Sequence, residues 1–334
     1  MRAFFQKIQH SLFKEYIHPG PHEVFVFTAE WWDEKRKRKI PIKCYLPQTT
    51  EKCPIVLFSH GLGASCHHYA YLGNHWASHG YVSIHVQHPG TDWSIFQGKR
   101  NREEAMREAS QNVDQVLQRP FDIHFVLNML FQNPSALPFS TLLNLERIGI
   151  AGHSMGAVTA LLCGGAFFQH PNGDMLSFHD SRIRACIAMS PSSKDFESSK
   201  HLYSRFQIPS LHFTGTQDFS PIGQTQLAHR RVPFDAIAQA DAILIVLKEM
   251  THMAFSDSPW HFSFSMIQKK KKEKHFHTLV MFLSVLFLEA YLKENISIRD
   301  GLFSEELKSA LEAFATIETK RKENHGSPSA SYTI

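Results

Sequence analysis

The stretch Glu146-Arg-Ile-Gly-Ile-Ala-Gly-His-Ser-Met-Gly-Ala157 is the most informative part of this sequence. A short apolar run leads into Gly152-His-Ser-Met-Gly156, and a small-residue pattern typical of a helix follows. This is the G-x-S-x-G pattern between a strand and a helix, where a serine projects from a sharp turn at the sheet's carboxyl edge. Glycines flank Ser154 because side chains there would meet the neighbouring strand and helix. The alternative is an ordinary strand-to-helix turn; we favour a serine nucleophile.

Short apolar segments alternate with helix-length segments along most of the chain, and residues 22–47 predict a β-hairpin ahead of them. We expect strands at Ile55–Ser59, Tyr81–Val86, Arg147–Ala151, Arg184–Met189, Ser210–Thr214 and Ala242–Leu247. We expect helices at His67–His79, Arg102–Phe131, Met155–Gly165, Gly223–Gln239 and His275–Lys293. The alternation predicts an α/β fold with a mostly parallel central sheet, an N-terminal β-hairpin and helices on both faces.

The chain is expected to form one main domain over residues 22–295, preceded by an N-terminal extension over residues 1–21. A C-terminal helical segment over residues 296–318 and a disordered tail over residues 319–334 complete this prediction, since the tail has few core-forming residues. Within the domain, the polar segment Phe167–Ser181 is interpreted as an insertion between a helix and a strand.

Composition excludes several classes of function. The 334 residues carry a formal net charge of +4, which gives no reason to expect a nucleic-acid partner. Five cysteines without C-x-x-C spacing indicate neither a disulfide framework nor a zinc site. The apolar run Leu279–Leu288 is shorter than the about 20 residues that span a bilayer, and no secretory signal is recognised, so a cytoplasmic location is expected. The basic run Lys269–Lys274 is interpreted as a solvated loop before a buried helix, with contact to an acidic surface as the alternative.

A serine hydroxyl needs a base to take its proton, and the base needs a carboxylate to orient it. In a sheet of this kind the acid and then the histidine follow the serine along the chain, each just past a strand. Asp218 follows the strand that begins at Ser210, and His252 follows the strand that begins at Ala242. We therefore predict Ser154, His252 and Asp218 as nucleophile, base and acid.

Other residues are candidates for the roles of acid and base. Asp195 is the second choice for the acid, although it sits several residues past its strand. His261 lies farther from its strand than His252 does, and His60 and His88 precede Ser154 in the chain. His252 remains the predicted base.

A reaction through a serine also needs N–H donors for the oxyanion that develops on the substrate. One is expected from the backbone of Met155, and the other from Leu62 in the glycine-containing loop that follows the first buried strand. The sequence has neither a phosphate-binding glycine loop nor H-E-x-x-H or clustered carboxylates that would hold a hydrolytic metal. It therefore predicts no cofactor and no metal.

Four blocks of the sequence carry a family likeness: Pro54–Ala64, Trp76–Val82, Gly152–Gly156 and Thr251–Asp257. They resemble the α/β-hydrolase superfamily, and more narrowly its platelet-activating-factor acetylhydrolase-like and predicted dienelactone-hydrolase-like branch. The resemblance covers roughly residues 22–292. A helix pattern resembling the branch's R-x-x-D motif contains Arg119 and Asp122, which we interpret as structural residues.

The resemblance implies a serine hydrolase that acts on small-molecule carboxylic esters, with lipid-like esters among the candidate substrates. In the animal acetylhydrolases of this branch the acid comes directly after the strand that follows the nucleophile's strand. This chain has Ser190 at that position. In the dienelactone-like relatives the acid comes one strand later, which matches Asp218. An acyltransferase, a lipid or polyester hydrolase and a peptidase with the same residues stay open. A non-catalytic binding protein on the same fold is the alternative of another class, and the oligomeric state is open.

Overall fold

The computed structural model describes residues 2–9, 11–132, 134, 137–257 and 266–322. The strands in this part of the chain are, in order, β1 (Val24–Asp33), β2 (Arg38–Pro47), β3 (Cys53–Ser59), β4 (Val82–Val86), β5 (Leu143–His153), β6 (Phe167–Gln169), β7 (Met175–Ser177), β8 (Ile183–Met189), β9 (Ser210–Gln217), β10 (Ala242–Thr251) and β11 (Ala315–Lys320). All strands except β6 and β7 belong to one nine-stranded sheet with the order β1-β2-β4-β3-β5-β8-β9-β10-β11.

The sheet is parallel in its centre and antiparallel at its two edges. β4, β3, β5, β8, β9 and β10 run parallel, whereas β1, β2 and β11 pair in antiparallel fashion. β1 and β2 form the expected hairpin, in which Val24 pairs with Pro47 and Asp33 with Arg38. The predicted α/β-hydrolase fold, with a mostly parallel sheet and an N-terminal hairpin, is confirmed.

The helices of the described residues are α1 (Arg2–Ile8), α2 (Ala70–Ser78), α3 (Arg102–Gln111), α4 (Val113–Gln132), α5 (Met155–Gly164), α6 (Phe196–Ser199), α7 (Leu227–Ala236), α8 (Met266–Tyr291), α9 (Ile296–Leu302) and α10 (Glu305–Leu311). They cover both faces of the sheet, as alternating side chains of β3 show. Val56 and Phe58 pack into a core with α2 and α8, whereas Ile55 and Leu57 pack into a second core with α4 and α5. The sheet is therefore buried on both sides, which explains why its central strands are apolar without alternation.

Several predicted boundaries are wrong. The expected helix Arg102–Phe131 is divided into α3 and α4, because Asn112 between them leaves the helical conformation. The helix expected over Gly223–Gln239 is confined to α7, and the predicted insertion Phe167–Ser181 contains the two-stranded ribbon of β6 and β7. The run Lys269–Lys274 belongs to α8 and is not a loop.

Both ends of the described chain also differ from the expectation. Residues 315–320, expected to be helical and then disordered, form the edge strand β11, because their backbone groups pair with β10. In the N-terminal extension, Phe4, Ile8 and Phe13 are buried in the core, and the ring of Phe4 meets that of Phe282 at 5.4 Å. The division of the chain into separate segments stays a prediction. Among the described residues, no helix combines the length and the apolar character needed to cross a bilayer.

The parallel direction of the central strands places their carboxyl ends at one edge of the sheet. Every predicted catalytic side chain directly follows one of these ends. The residues that come immediately after β3, β5, β8, β9 and β10 are His60, Ser154, Ser190, Asp218 and His252.

Candidate active site

Ser154 occupies a strained turn between β5 and α5. Its backbone has φ 56° and ψ −119°, a conformation that costs a non-glycine residue about 1–3 kcal/mol. The two glycines of the motif permit the close packing around it. A Cβ on Gly152 would overlap the carbonyl of Gly156, and a Cβ on Gly156 would overlap the carbonyl of Ser59 on β3. The turn therefore needs both glycines, and it presents the Ser154 hydroxyl at the sheet edge.

The structure brings the three residues predicted as nucleophile, base and acid together. The Ser154 Oγ lies 3.0 Å from Nε2 of His252, and Nδ1 of His252 lies 2.8 Å from Oδ1 of Asp218. A carboxylate only accepts hydrogen bonds, so Nδ1 carries the imidazole proton and donates a hydrogen bond to Asp218. Nε2 is then free to accept the proton of the Ser154 hydroxyl. This is the geometry that a serine–histidine pair requires for proton transfer.

The Asp218 carboxylate is buried and held by several donors. Thr214 donates its hydroxyl to Oδ2 at 2.8 Å, and the Ser190 hydroxyl lies 2.6 Å from the same oxygen. Burial by itself raises the pKa of Asp218, but His252, Arg230 and Ser190 outweigh it and hold this pKa well below the usual range. Asp218 is consequently ionised throughout the neutral pH range.

The pKa of His252 is below its ordinary value. Burial is the main cause and lowers it, the hydrogen bond and charge of Asp218 raise it, and the charge of Arg230 lowers it further. His252 is therefore neutral at pH 7, the state in which Nε2 can act as a base.

Two residues beside this trio were not predicted for the site. The Ser190 hydroxyl lies 2.8 Å from Nδ1 of His252, on the opposite flank of the ring from the nucleophile. Arg230 of α7 is buried, donates from Nη1 to the Ser190 carbonyl at 3.1 Å, and lies close to both His252 and Asp218. Ser190 follows a strand, a signal that could have found it. Arg230 carries no such signal, because an arginine in a helix is ordinarily a surface residue.

The alternative residues lie elsewhere. Asp195 is exposed and caps α6, where it accepts hydrogen bonds from the backbone and hydroxyl of Ser198. His60 and His88 are buried beneath the loop that follows β3, and His88 Nδ1 contacts Asp122 at 3.0 Å. His261 lies outside the described residues.

The residues that carry the two predicted oxyanion N–H groups, Leu62 and Met155, lie on either side of Ser154 in the sequence and have defined surroundings. On one side of Leu62, the carbonyl of Gly61 accepts a hydrogen bond from Nδ1 of His60 at 2.7 Å; on the other side, the N–H of Gly63 donates to Thr91 at 2.9 Å. Met155 is the first residue of α5, a position whose N–H has no acceptor within the helix. Leu62, Met155 and Ser154 all line one cavity.

This cavity has a volume of about 500 Å³, and His252 also lines it. Much of its wall is apolar, with contributions from Phe96, Met106, Val116 and Val158. Among the described residues that line it, Arg102 and Arg230 carry positive charge and none is an aspartate or glutamate. The space accommodates an apolar group next to a neutral or anionic one.

Metal binding has no candidate in the described residues, where no group of three or more His, Cys, Asp or Glu side chains is arranged to hold an ion. The absence of a cofactor stays a prediction.

Comparisons with known proteins place this geometry in a family. The model of the family "Platelet-activating factor acetylhydrolase, isoform II" matches residues 38–303. The platelet-activating factor acetylhydrolase of Cavia porcellus is 26% identical over 246 residues, and the match covers 66% of this chain and 52% of that protein. Those of Canis lupus familiaris (26% over 204 residues) and Bos taurus (27% over 201 residues) each cover 52% of this chain and 42% of the relative. The chain spans about half the length of the curated relatives it matches. With most of its length matched by the family model, the chain belongs to the platelet-activating factor acetylhydrolase, isoform II family.

Proposed function

We propose that this protein hydrolyses carboxylic esters through an acyl-enzyme formed on Ser154. The observation that carries the proposal is the continuous contact from Ser154 through His252 to Asp218 at the wall of a cavity. Family membership supports it, because the relatives are named acetylhydrolases. The chemistry needs a nucleophile, a base with the correct tautomer and an ionised acid, and the contacts of Ser154, His252 and Asp218 support these roles.

In the first half of the reaction, Ser154 Oγ attacks the carbonyl carbon of the ester while its proton passes to Nε2 of His252. The carbonyl oxygen becomes an oxyanion, which accepts hydrogen bonds from the N–H groups of Leu62 and Met155. The C–O bond of the ester then breaks. The leaving alcohol takes the proton from His252, and the acyl group stays on Ser154.

In the second half, His252 takes a proton from water as the water oxygen attacks the acyl carbon. The second oxyanion collapses, the bond to Ser154 Oγ breaks, and that oxygen recovers the proton from His252. A carboxylic acid leaves. Asp218 keeps its charge throughout, and it stabilises the imidazolium that forms twice in the cycle.

For the substrate, we propose a short-chain ester carried on a lipid-like alcohol. Two observations support this choice: the name shared by the relatives and the apolar wall formed by Phe96, Met106 and Val158. An apolar wall of this kind favours acyl or alkyl groups, because burying their surface is favourable by about 25 cal/mol per Å².

The test is a series of p-nitrophenyl esters from acetate to laurate, with labelling by a fluorophosphonate probe and with Ser154→Ala as the matched control. We expect hydrolysis that is fastest for short acyl chains, and a labelled peptide that contains Ser154. Ser154→Ala should lose both readouts. A wild-type protein that hydrolyses no ester in the series and is not labelled would contradict the proposal. Added acceptor alcohols in the same assay separate hydrolysis from acyl transfer, since transfer would yield a new ester.

A further inference from the structure

Arg119 of α4 is a fully buried arginine beneath the loop that follows β3. Its guanidinium makes four hydrogen bonds, all to neutral oxygens: Nε to the Thr159 hydroxyl at 3.0 Å, Nη1 to the Thr91 hydroxyl at 2.8 Å, and Nη2 to the Ser59 hydroxyl at 3.1 Å and to the His60 carbonyl. A planar, forked donor is suited to join several acceptors with fixed angles between them.

Two of these bonds bracket Leu62, one of the two N–H donors proposed for the oxyanion. The His60 carbonyl lies just before the loop, and Arg119 holds it there. Beyond Leu62, the N–H of Gly63 donates to the carbonyl of Thr91, the residue whose hydroxyl Arg119 also binds. Arg119 is thus connected to the loop on both sides of Leu62, directly at the His60 carbonyl and through Thr91 at Gly63.

A third bond reaches the other donor. Arg119 Nε donates to the hydroxyl of Thr159 on α5, and this hydroxyl donates in turn to the carbonyl of Met155 at 3.0 Å. Met155 begins α5 and carries the second proposed oxyanion N–H. Arg119 therefore connects the loop of one donor with the helix of the other.

Stability alone does not account for a buried arginine. Burial lowers the pKa of Arg119 to about 9, because the charged form loses its hydration. Taking a charge out of water is costly, so a buried charged group is weak evidence for a stabilising role. Because burial disfavours the charged guanidinium, Arg119 is better explained by the geometry that its hydrogen bonds impose on the loop after β3 and on α5.

A neighbouring cluster could be taken for a second catalytic site, but its burial excludes that. Ser59 Oγ lies 2.9 Å from Nε2 of His88, whose Nδ1 lies 3.0 Å from Asp122. All three side chains are fully buried, and none of them lines the cavity beside Ser154. Since Arg119 donates to Ser59, the cluster supports the same loop from below.

We propose that Arg119 is a positioning residue, which sets the distance and direction between the N–H groups of Leu62 and Met155 so that both point at one oxygen. This inference rests on the proposed ester hydrolysis. It assigns no contact between Arg119 and substrate.

The test compares Arg119→Met and Arg119→Lys with the wild-type protein in kcat, KM and inhibition by a trifluoromethyl ketone, whose adduct with Ser154 mimics the oxyanion. We expect Arg119→Met to lower kcat by about 100-fold, the size of losing one oxyanion donor, with KM nearly unchanged. Inhibition by the ketone should weaken in parallel, because it depends on the same N–H groups. Arg119→Lys should recover only part of kcat, since a compact ammonium lacks the planar fork of donors that reaches both Thr159 and the His60 carbonyl.

Arg182→Met is the matched control, because Arg182 is a partly buried arginine, and its two hydrogen bonds to the Asp180 carboxylate involve neither the oxyanion donors nor the cluster of Ser59, His88 and Asp122. It should lower the thermal midpoint and leave kcat per folded molecule intact. If Arg119→Met does not fold, Thr159→Val removes the link to α5 alone and should lower kcat to a smaller extent.

An Arg119→Met protein, or failing that a Thr159→Val protein, with wild-type kcat and ketone inhibition would overturn the inference while leaving ester hydrolysis intact. A fall in activity that only follows the folded fraction would overturn it as well. A wild-type protein without esterase activity would instead overturn the proposed function and the inference together.

Discussion

The Nη2 atom of Arg230 lies 3.2 Å from Nδ1 of His252, the nitrogen that also faces Asp218 at 2.8 Å. Both Arg230 and the protonated Nδ1 are donors, so this contact is not a favourable hydrogen bond. It places a positive charge against the ring that must become an imidazolium during the reaction. The His153 ring is another titratable neighbour, with a centroid distance of 4.8 Å to His252, and burial keeps its pKa well below the ordinary range.

Arg230→Gln is expected to move the acidic limb of the pH profile of kcat/KM to higher pH. The base is active when neutral and is lost as pH falls through its pKa. Removing the positive charge leaves burial and Asp218 in place and raises the pKa of His252, so more of the base is protonated at a given acidic pH. The measurement is kcat/KM against pH for a neutral short-chain ester.

The neighbouring residue supplies a control for this experiment. Arg231 also lies in α7, but its guanidinium pairs with Asp235 and Glu318 and not with the candidate site. Arg231→Gln should leave the limb where it is in the wild-type protein. An Arg230→Gln profile that overlays the wild-type profile would show that Arg230 does not act on His252.

A carboxylate placed at Ser190 is expected to replace Asp218 in part. Asp218→Asn should lower kcat by about 10⁴-fold, because the amide favours the wrong tautomer of His252. The Ser190 hydroxyl already lies 2.8 Å from Nδ1, and its backbone φ of 54° is a conformation that aspartate tolerates. The double variant Ser190→Asp/Asp218→Asn should therefore recover about 10-fold or more of that loss.

The matched control is Ser190→Asn/Asp218→Asn, which has nearly the same shape without the charge. Equal kcat values for the two double variants would indicate that the end of β8 cannot supply the acid.

Ser154→Gly is expected to be more stable than Ser154→Ala. Both lose the hydroxyl, its bond to His252 and all fluorophosphonate labelling. Glycine, however, relieves a backbone at φ 56° and ψ −119°, a gain of about 1–3 kcal/mol that its greater unfolded-state entropy reduces to about 1 kcal/mol. Urea unfolding of the two variants measures the difference in free energy of unfolding. Equal midpoints and slopes would mean that the turn stores no strain.

Gly156→Ala is expected to destabilise the protein by about 3 kcal/mol or more, since overpacking against rigid backbone has no cheap relaxation. The new Cβ would overlap the carbonyl of Ser59, and the His60 carbonyl would lie 2.7 Å away. Gly223→Ala is the control, because its Cβ would meet only the Ser220 hydroxyl at 3.7 Å. Thermal unfolding compares them, and a Gly156→Ala protein as stable as Gly223→Ala would contradict the packing argument.

Asp257→Ala is expected to lower both stability and kcat. Asp257 follows the His252 turn and accepts hydrogen bonds from the backbone N–H groups of Tyr69 and Ala70, at 2.5 and 2.7 Å, at the start of α2. Loss of this cap should cost about 1 kcal/mol and loosen the turn that carries the base. Thermal unfolding measures the loss of stability. The value of kcat is measured about 20 °C below the thermal midpoint, where the protein is folded, so that the two effects are separated. An unchanged kcat would show that Asp257 only caps α2 and does not affect the turn that carries His252.

The sequence by itself determined the parts of this protein that depend on neighbours along the chain. The G-x-S-x-G turn, the order of Ser154, Asp218 and His252, and the strands that precede them are local patterns, because a parallel sheet with short apolar strands puts the residues after its strands at one edge. For the same reason the family was recognisable from four short blocks. Helix boundaries were predicted less accurately than the strands, because apolar periodicity does not reveal the break at Asn112 between α3 and α4.

Only the tertiary structure decided what surrounds those residues. The placement of Arg230 against His252, the Ser190 hydroxyl on the Asp218 carboxylate and the four bonds of Arg119 join segments far apart in the chain. β11 became a strand, and not a tail, because β10 offered it an unpaired edge. The physical reason is common to all of them. A buried donor or charge is tolerated only where acceptors from other elements meet it, and such meetings follow from how the elements pack and not from local sequence.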